Sequence, residues 1–372
     1  MPAFDSPCSV DPALLFHSLR LARSSRIGPV TWRKMVSRLG SAEAALENLP
    51  AHAESTGIND YRPADPGKVR SEIERALGLG AQPLVLGTEQ YPEMLAGLSD
   101  APPVIWALGE IGLLDQPMVA LVGARNASAL GQRMAARLAE GLGEAGFSVV
   151  SGLARGIDRA AHFASLEHGT IAVLAGGIDV IYPTQNADLA DRIRNASGLF
   201  LSEEPPGLQP LARHFPKRNR IISGLSKAVV LIEAAARSGS LITARTALDQ
   251  GREVMAVPGS PLDPRSEGCN RIIRDGGVLV RCAADIVEAL EMPRDEPVPA
   301  IVETESAAPP EALPGALAQQ ILGLLSGAPA PVDLLIRTLG RPAAEVLSTL
   351  TDLELNGQVE RHPGAMVSAV LG

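Results

Sequence analysis

Between residue 10 and about residue 78, apolar residues recur every three to four positions, in VDPALLFHSLRLARS, PVTWRKMVSRLG, AEAALENLP and GKVRSEIERALGLG. That spacing predicts short amphipathic helices, so residues 1–80 are expected to form a helical domain. The turn Arg26-Ile27-Gly28-Pro29 followed by a basic amphipathic helix has the form of a helix-hairpin-helix (SAM-like) unit, whose glycine turn can present amide N–H groups to a phosphate. A small helical cap without a ligand fits the same residues. From about Pro83 the texture changes to short β-branched runs, each ending in a glycine or serine loop and followed by a helical pattern: MVALVGAR, FSVVSGLA, TIAVLAGG, GLFLSEE, AVVLIEA, EVMAVPGS and GVLV. Strands that lose the period-two alternation are buried on both faces, which predicts an α/β fold over residues 81–291: an extended Rossmann-like, doubly wound parallel sheet. The ligand crevice of such a sheet lies outside the carboxyl ends of its strands, where all of these glycine loops fall.

The periodicity lapses over residues 292–315, MPRDEPVPAIVETESAAPPEALPG, where six prolines and five acids predict a semi-rigid, self-repelling linker. Beyond it, ALAQQILGLL, PVDLLIRTLG and PAAEVLSTLTDLELNG predict three short helices and QVERHPGAMVSAV a hairpin, a winged-helix-like domain over residues 316–372. A winged helix that reads DNA carries basic residues on its third helix. Here Arg337, Arg341 and Arg361 stand against Asp333, Glu345, Asp352, Glu354 and Glu360, which favours a protein-interaction or regulatory role over duplex binding.

Composition narrows the partners. Cys8, Cys269 and Cys282 have no CxxC spacing, so neither a disulfide framework nor a metal site is expected. No basic region followed by an apolar run opens the chain and no apolar stretch approaches the ~20 residues that cross a bilayer, so a cytoplasmic protein without a membrane partner is expected. The formal net charge of −9 argues against wholesale coating of nucleic acid, which leaves a focused basic site as the electrostatic route to it. One stretch fits. Pro205–Lys227, PPGLQPLARHFPKRNRIISGLSK, carries Arg213, Lys217, Arg218, Arg220 and Lys227 with Phe215 among them and no acid. Lying between two strand-like segments, it is expected at the edge of the sheet. Cations with an interleaved aromatic ring suit single-stranded nucleic acid, and a solvated basic loop is the other reading.

The strand-end loops add chemistry. Gly123-Ala124-Arg125 closes the first core strand without GxGxxG spacing, which speaks against a dinucleotide site; Arg125 offers a planar cation to a phosphate, or pairs with an acid such as Asp158. The loop Ser151-Gly152-Leu153-Ala154-Arg155-Gly156 lets a ligand backbone approach its amides, with Asp158 capping the following helix. Tyr182-Pro183 and Asn186 are expected to be structural. In Ser238-Gly239-Ser240, Ser240 is expected to cap the next helix while free amides cradle an anion. The histidines are scattered, GxSxG and GxxxxGK[ST] are missing, and no paired carboxylates stand at a useful spacing, so a binding protein without a cofactor is favoured over an enzyme.

VGAR, SGLARGID, GGIDVIYP followed by Asn186, SEEPPG, FPKRNRIISGLS, EAAARSGSLITARTALDQGREVMAVPGS and GCNRIIRDGG occur in the order in which the DprA (DNA-processing protein A, or Smf) family carries them, and residues 80–290 resemble that family. The resemblance implies an extended Rossmann fold that binds and protects single-stranded DNA, dimerises, and helps load the recombinase RecA during natural transformation. It implies DNA contacts at Gly123 and Arg125, at Ser151, Gly152, Leu153, Ala154 and Gly156, at Arg213, Phe215, Lys217, Arg218, Asn219 and Arg220, and at Ser238, Gly239 and Ser240. It places self-association near Arg271, Ile272, Ile273, Val278 and Leu279. A fainter resemblance to phosphoribohydrolases of the lysine-decarboxylase-like type would make the chain a nucleotide-processing enzyme, but that family's GGxGTxxE loop is replaced here by SGSLITA. A RecA-contacting scaffold that binds DNA only incidentally is the remaining alternative.

Overall fold

Asp11 and Asp65 each precede a proline, the arrangement that starts a helix with a side-chain cap and a pre-set φ. In the computed structural model, which describes residues 10–55, 59–291, 316–325, 329–362 and 366–370, their carboxylates accept from Ala13 N (3.0 Å) and Lys68 N (2.8 Å). These bonds open α1 (Pro12–Ala22) and α4 (Pro66–Gly78). Between them lie α2 (Pro29–Leu39) and α3 (Ala42–Ser55). Leu21, Trp32, Met35, Leu46 and Leu49 form the small core that α1, α2 and α3 share. Gly28, the N-cap of α2, has ordinary extended backbone (φ −87°); the left-handed position of that turn belongs to Arg26 (φ 63°).

The chain then builds β1 (Gln82–Val85), α5 (Glu93–Ala96), β2 (Val104–Gly109), β3 (Met118–Gly123), α6 (Ala129–Glu144), β4 (Ser148–Ser151), α7 (Ile157–Ala164), β5 (Thr170–Val173), α8 (Ala187–Asn195) and β6 (Leu199–Ser202). It continues with α9 (His214–Leu225), β7 (Ala228–Ile232), α10 (Ser240–Asp249), β8 (Glu253–Ala256), α11 (Glu267–Arg274), β9 (Val278–Leu279) and α12 (Ala283–Glu291). The sheet order is β1-β2-β6-β5-β4-β3-β7-β8-β9, parallel from β6 to β9 and antiparallel at β1 and β2. The fold is thus α/β with a mostly parallel central sheet, as the continuous apolar strands predict. The two antiparallel strands were not foreseen. β2 is buried over its first four residues, because α1 and α4 cover Val104 and Trp106 through Leu15, Leu19, Val69 and Ala76 while Ile105 and Ala107 join the core of the other face with Leu95, so it shows no alternation.

Successive residues of the strands face opposite cores. Ala120, Val150, Ile171 and Leu201 pack under α5, α9, α10 and α11, whereas Val119, Val149, Ala172 and Phe200 pack under α6, α7, α12, α8 and the N-terminal helices. The sheet starts in the middle. β3 is followed outward by β4, β5 and β6 on one side, and the chain then returns to lay β7, β8 and β9 on the other. The return is the basic stretch. It does not lie at the sheet edge as expected, because β5, β4 and β3 separate the two strands it joins; it forms α9, which crosses one face and buries Ile221, Ile222 and Leu225 there.

Residues up to Met292 form one compact unit and those from Pro293 a second. The expected linker, 292–315, lies outside the described residues, as does Cys8. The second unit contains α13 (Ala316–Leu324), β10 (Ala330–Pro331), α14 (Val332–Leu339), α15 (Ala343–Leu355), β11 (Val359–His362) and β12 (Met366–Ala369), with sheet order β10-β12-β11 and Ile321, Leu335, Val346, Leu350 and Val367 in its core. It is the winged-helix arrangement of three helices and a hairpin, and its third helix bears Glu345, Asp352 and Glu354 with no lysine or arginine. Among the described residues no helix is long and apolar enough to cross a membrane.

Candidate nucleic-acid interface

At the carboxyl ends of β3 and β7 the chain leaves in opposite directions, which opens a crevice at the switch point of the sheet. A cleft of about 600 Å³ lies there, between the loop after β3 (Gly123, Arg125), the first half of α9 (Phe215, Asn219), the entry to α10 (Ser238, Ser240) and the exposed Arg237. A second cleft of about 310 Å³ adjoins it, bounded by Ala154, Arg155, Tyr182 and Gln185, and shares Arg125 and Phe215 with the first. Neither α9 nor α10 has an acid in its first turn, and the partially positive N-terminal ends of both helices border the larger cleft, that of α10 with its Ser240 N–H bonded to Ser238 Oγ.

Arg125 is exposed, and its guanidinium carbon lies 5.2 Å from the centre of the Phe215 ring. Tyr182, half exposed at 49%, places its own ring 5.6 Å from Phe215 at an interplanar angle of 59°. Tyr182, expected to be packed, is therefore part of the cleft: two aromatic faces and a planar cation converge on one opening.

Helix α9 sorts the basic stretch by its period of 3.6 residues. Phe215, Arg218, Asn219 and Ile222 line the cleft, whereas Lys217 and Arg220 turn away. Lys217 Nζ lies 3.1 Å from Glu204 Oε1, Arg220 Nη2 donates to Glu203 Oε2 at 2.6 Å, and Arg220 Nη1 donates to the Asp100 carbonyl. The expectation that these two cations meet a ligand in the crevice is corrected by that geometry. Arg213 is exposed at the N-cap of α9 and lines neither cleft.

Arg218 is buried, 6% exposed, and its Nη1 donates to Gly152 O (2.7 Å) and to Val173 O. Asp158, equally buried, accepts from Gly152 N (3.0 Å) and Ala154 N (3.3 Å), so it ties the preceding loop and does not cap its own helix as expected. The Leu153 N–H donates to His162 Nε2 (3.3 Å), which puts the imidazole proton on Nδ1, facing Thr170 Oγ1 at 2.7 Å. Asn186 Nδ2 donates to Leu153 O (2.8 Å) and Ala154 O (3.0 Å). The amides of Gly152, Leu153 and Ala154, expected to face a ligand, are thus engaged inside the protein, and Ser151 and Leu153 are fully buried. What the loop presents outward is Ala154 and Arg155. Burial pushes the Asp158 carboxyl up against the pull of Arg218 and the two amides, and pushes the His162 imidazole down to about 3. The Arg218 guanidinium falls to about 10 through burial, with Asp158 drawing it back up.

Two glycines are needed here. A Cβ on Gly152 would meet the Arg218 guanidinium at 2.5 Å, and Gly156, at φ 74°, would bring one 2.7 Å from Arg125 O, so it lets the β4–α7 loop press against the β3–α6 loop. Ser240 does not supply the cap of α10 as expected: it is the first helical residue, and Ser238 Oγ accepts from its N–H at 3.3 Å.

The sequence reading missed Arg155, Arg237 and Tyr182 as site residues, although each stands in or just beyond a strand-end loop already singled out. Arg265, which also lines the larger cleft, carried no signal because its approach depends on the loop after β8. Among the described residues no group of three or more His, Cys, Asp or Glu comes together as metal ligands.

The fold and the site define a class: a doubly wound α/β protein whose switch-point crevice carries exposed arginines, aromatic rings and two helix N-termini in place of a dinucleotide loop. Residues 82–291 match the family described as DNA recombination-mediator protein A, residues 13–75 the DprA-like N-terminal HHH domain, and residues 305–365 the DprA winged helix domain. The chain belongs to the DprA (Smf) family of DNA-processing proteins. It is 39% identical over 304 residues to Protein Smf of Escherichia coli, covering 80% of this chain and 81% of that one. It is 47% identical over 203 residues to the DNA processing protein DprA of Streptococcus pneumoniae, covering 54% and 71%. The X-ray structure of the S. pneumoniae protein superposes with a TM-score of 0.57 at 36% identity, over 71% of this chain and 87% of that chain. A structure of DNA processing protein A from Helicobacter pylori, described for its single-stranded DNA binding mode, superposes with a TM-score of 0.52 at 28% identity, over 57% and 97%.

Proposed function

We propose that the paired clefts bind single-stranded DNA, and that the protein protects incoming strands and hands them to RecA in the cytoplasm during natural transformation, without altering them chemically. The observation that carries this reading is the convergence of Arg125, Phe215 and Tyr182 at one opening beside the N-termini of α9 and α10, neither of which has an acid in its first turn. Aromatic faces accept any base by stacking, and the cations and helix ends accept the phosphates between them. Such a site binds without reading sequence. The lashing of the Ser151–Gly156 loop by Asp158, His162, Asn186 and Arg218 fixes the wall against which the strand lies, so little ordering has to accompany binding.

Self-association is supported by the far edge of the sheet. Among the described residues β9 pairs with β8 and with no other strand, Leu279 on it is 42% exposed, and Ile272, Ile273 and Val278 are each half-buried, with Arg271 beside them. Two protomers holding one strand raise the effective concentration of a recombinase docked on them. The acidic winged-helix unit suits a protein contact better than a DNA contact.

The test is a titration of single- and double-stranded oligonucleotides at several salt concentrations. Three to five phosphate contacts give a slope of log K against log salt of about −2 to −3.5 on the single strand. A flat response refutes the binding reading. RecA loading is tested separately, by strand exchange on DNA already covered by single-strand-binding protein; an unchanged lag on adding this chain refutes it.

A further inference from the structure

A third cleft, of about 300 Å³, opens at the carboxyl ends of β7 and β8 on the α6 side of the sheet. Its floor is apolar, built from Ile232, Val257, Pro258 and Met134, and Leu130 beside it is 73% exposed. Its rim carries Arg133 and Arg137, both exposed, one turn apart on α6 and joined to no acid by an ion pair among the described residues. The two acids nearby are already engaged. Glu233 accepts from Ser128 N at 2.8 Å and hydrogen-bonds the Ser128 hydroxyl, and Asp263 lies 2.9 Å from Arg265. An apolar floor with an unpaired cationic rim fits nucleobases below and phosphates above.

Three loops line this cleft and the switch-point cleft alike. The β3–α6 connection gives Arg125 to one and Ser128 to the other, the loop after β7 gives Ser238 and Glu233, and the loop after β8 gives Arg265 and Asp263. The clefts therefore stand in a row along the strand ends. β4, β3, β7 and β8 are neighbours, about 14 Å from first to last, so a strand that fills all three clefts is longer than one that fills the first two.

Resting on the reading of the first two clefts as a single-strand site, we propose that the strand runs on over the Glu233–Ser128 contact into the third cleft, where Arg133 and Arg137 hold its phosphates. Charge and continuity with the first clefts favour this occupant over a protein segment.

The experiment compares the full chain with Arg133→Ala/Arg137→Ala and with Arg125→Ala, using dT4 and dT12 under low and moderate salt. The double variant is expected to bind dT12 about tenfold more weakly and dT4 within about twofold of the parent, and to flatten the dT12 salt slope by about 1.4, two contacts at about 0.7 each. Arg133→Lys/Arg137→Lys is expected to restore the slope. Equal losses on both oligonucleotides, or no loss on either, overturn the extension and leave the cleft to a protein segment or to solvent. If Arg125→Ala also binds both normally, the reading of the first two clefts fails as well; if it loses both while the α6 variant loses neither, only the extension fails.

Discussion

Arg218 is the cation on which the basic stretch and the fold disagree most, and replacing it decides between them. Arg218→Met keeps most of the volume but removes a buried guanidinium that reaches Gly152 O and Val173 O, and it leaves the Asp158 carboxylate buried without its cation. Leaving a buried charge without the opposite charge that faces it costs up to about 3–5 kcal/mol. The adjoining Asp158→Asn change removes the charge that Arg218 faces, so the double variant is expected to be less destabilised than the sum of the singles by about 2 kcal/mol. Both tryptophans, Trp32 and Trp106, are buried in the Met1–Met292 unit, so their fluorescence during urea unfolding follows that unit alone. The companion measurement is the salt slope for single-stranded DNA on the folded fraction, expected to be unchanged. If instead Arg218→Met unfolds within ~1 kcal/mol of the parent and flattens the slope by about 0.7, Arg218 is a phosphate ligand and the structural account of it is wrong.

Phe215→Ala is expected to weaken single-strand binding by about 1–3 kcal/mol through lost stacking, checked by fluorescence anisotropy, with thermal unfolding at the parental temperature separating this from a packing defect. Arg125→Ala is expected to lower affinity for every sequence alike and to reduce the salt slope by about 0.7, read from the same titrations at several salt concentrations. The folded-state pKa of His162 lies far below its unfolded value of 6.5, so the neutral ring contributes stability that is fully present above pH 6.5 and is lost as pH falls toward 3, up to a ceiling of about 5 kcal/mol. Urea unfolding at pH 7.5 and pH 5 measures this, and His162→Gln should flatten the difference. Leu279→Asp is expected to shift a dimer toward monomer in sedimentation at tens of micromolar without lowering the unfolding midpoint of the monomer, because that side chain is exposed at the sheet edge.

The parallel strands were legible because burial on both faces writes a continuous apolar run, and the crevice followed from where the glycine loops fell. β1 and β2 were not legible, since a four-residue QPLV and a VIWALG covered by helices carry no alternation. For the site, Arg125 and Phe215 stood out by type and position. The division of labour within the basic stretch did not: reading it as a loop made Lys217, Arg218 and Arg220 equivalent, whereas a helix in that place sends Lys217 and Arg220 to Glu203 and Glu204 and buries Arg218. Glu203 and Glu204 stand directly before Pro205, where the basic stretch begins, but their reach to α9 depends on where β6 ends relative to that helix.

Because the strand that begins the parallel sheet sits between strands made earlier and later than the return through α9, the order of synthesis matters. When residues up to about 205 have emerged, β3 has β4 on one side and bare backbone on the other, and it stays so until Ala228–Ile232 is made. An unpaired, wholly apolar strand of that kind is a template for pairing with a neighbouring chain. A ribosome that stalls within the basic stretch therefore releases a fragment prone to aggregate, and the helix that closes the crevice also closes the interval in which the nascent chain is exposed.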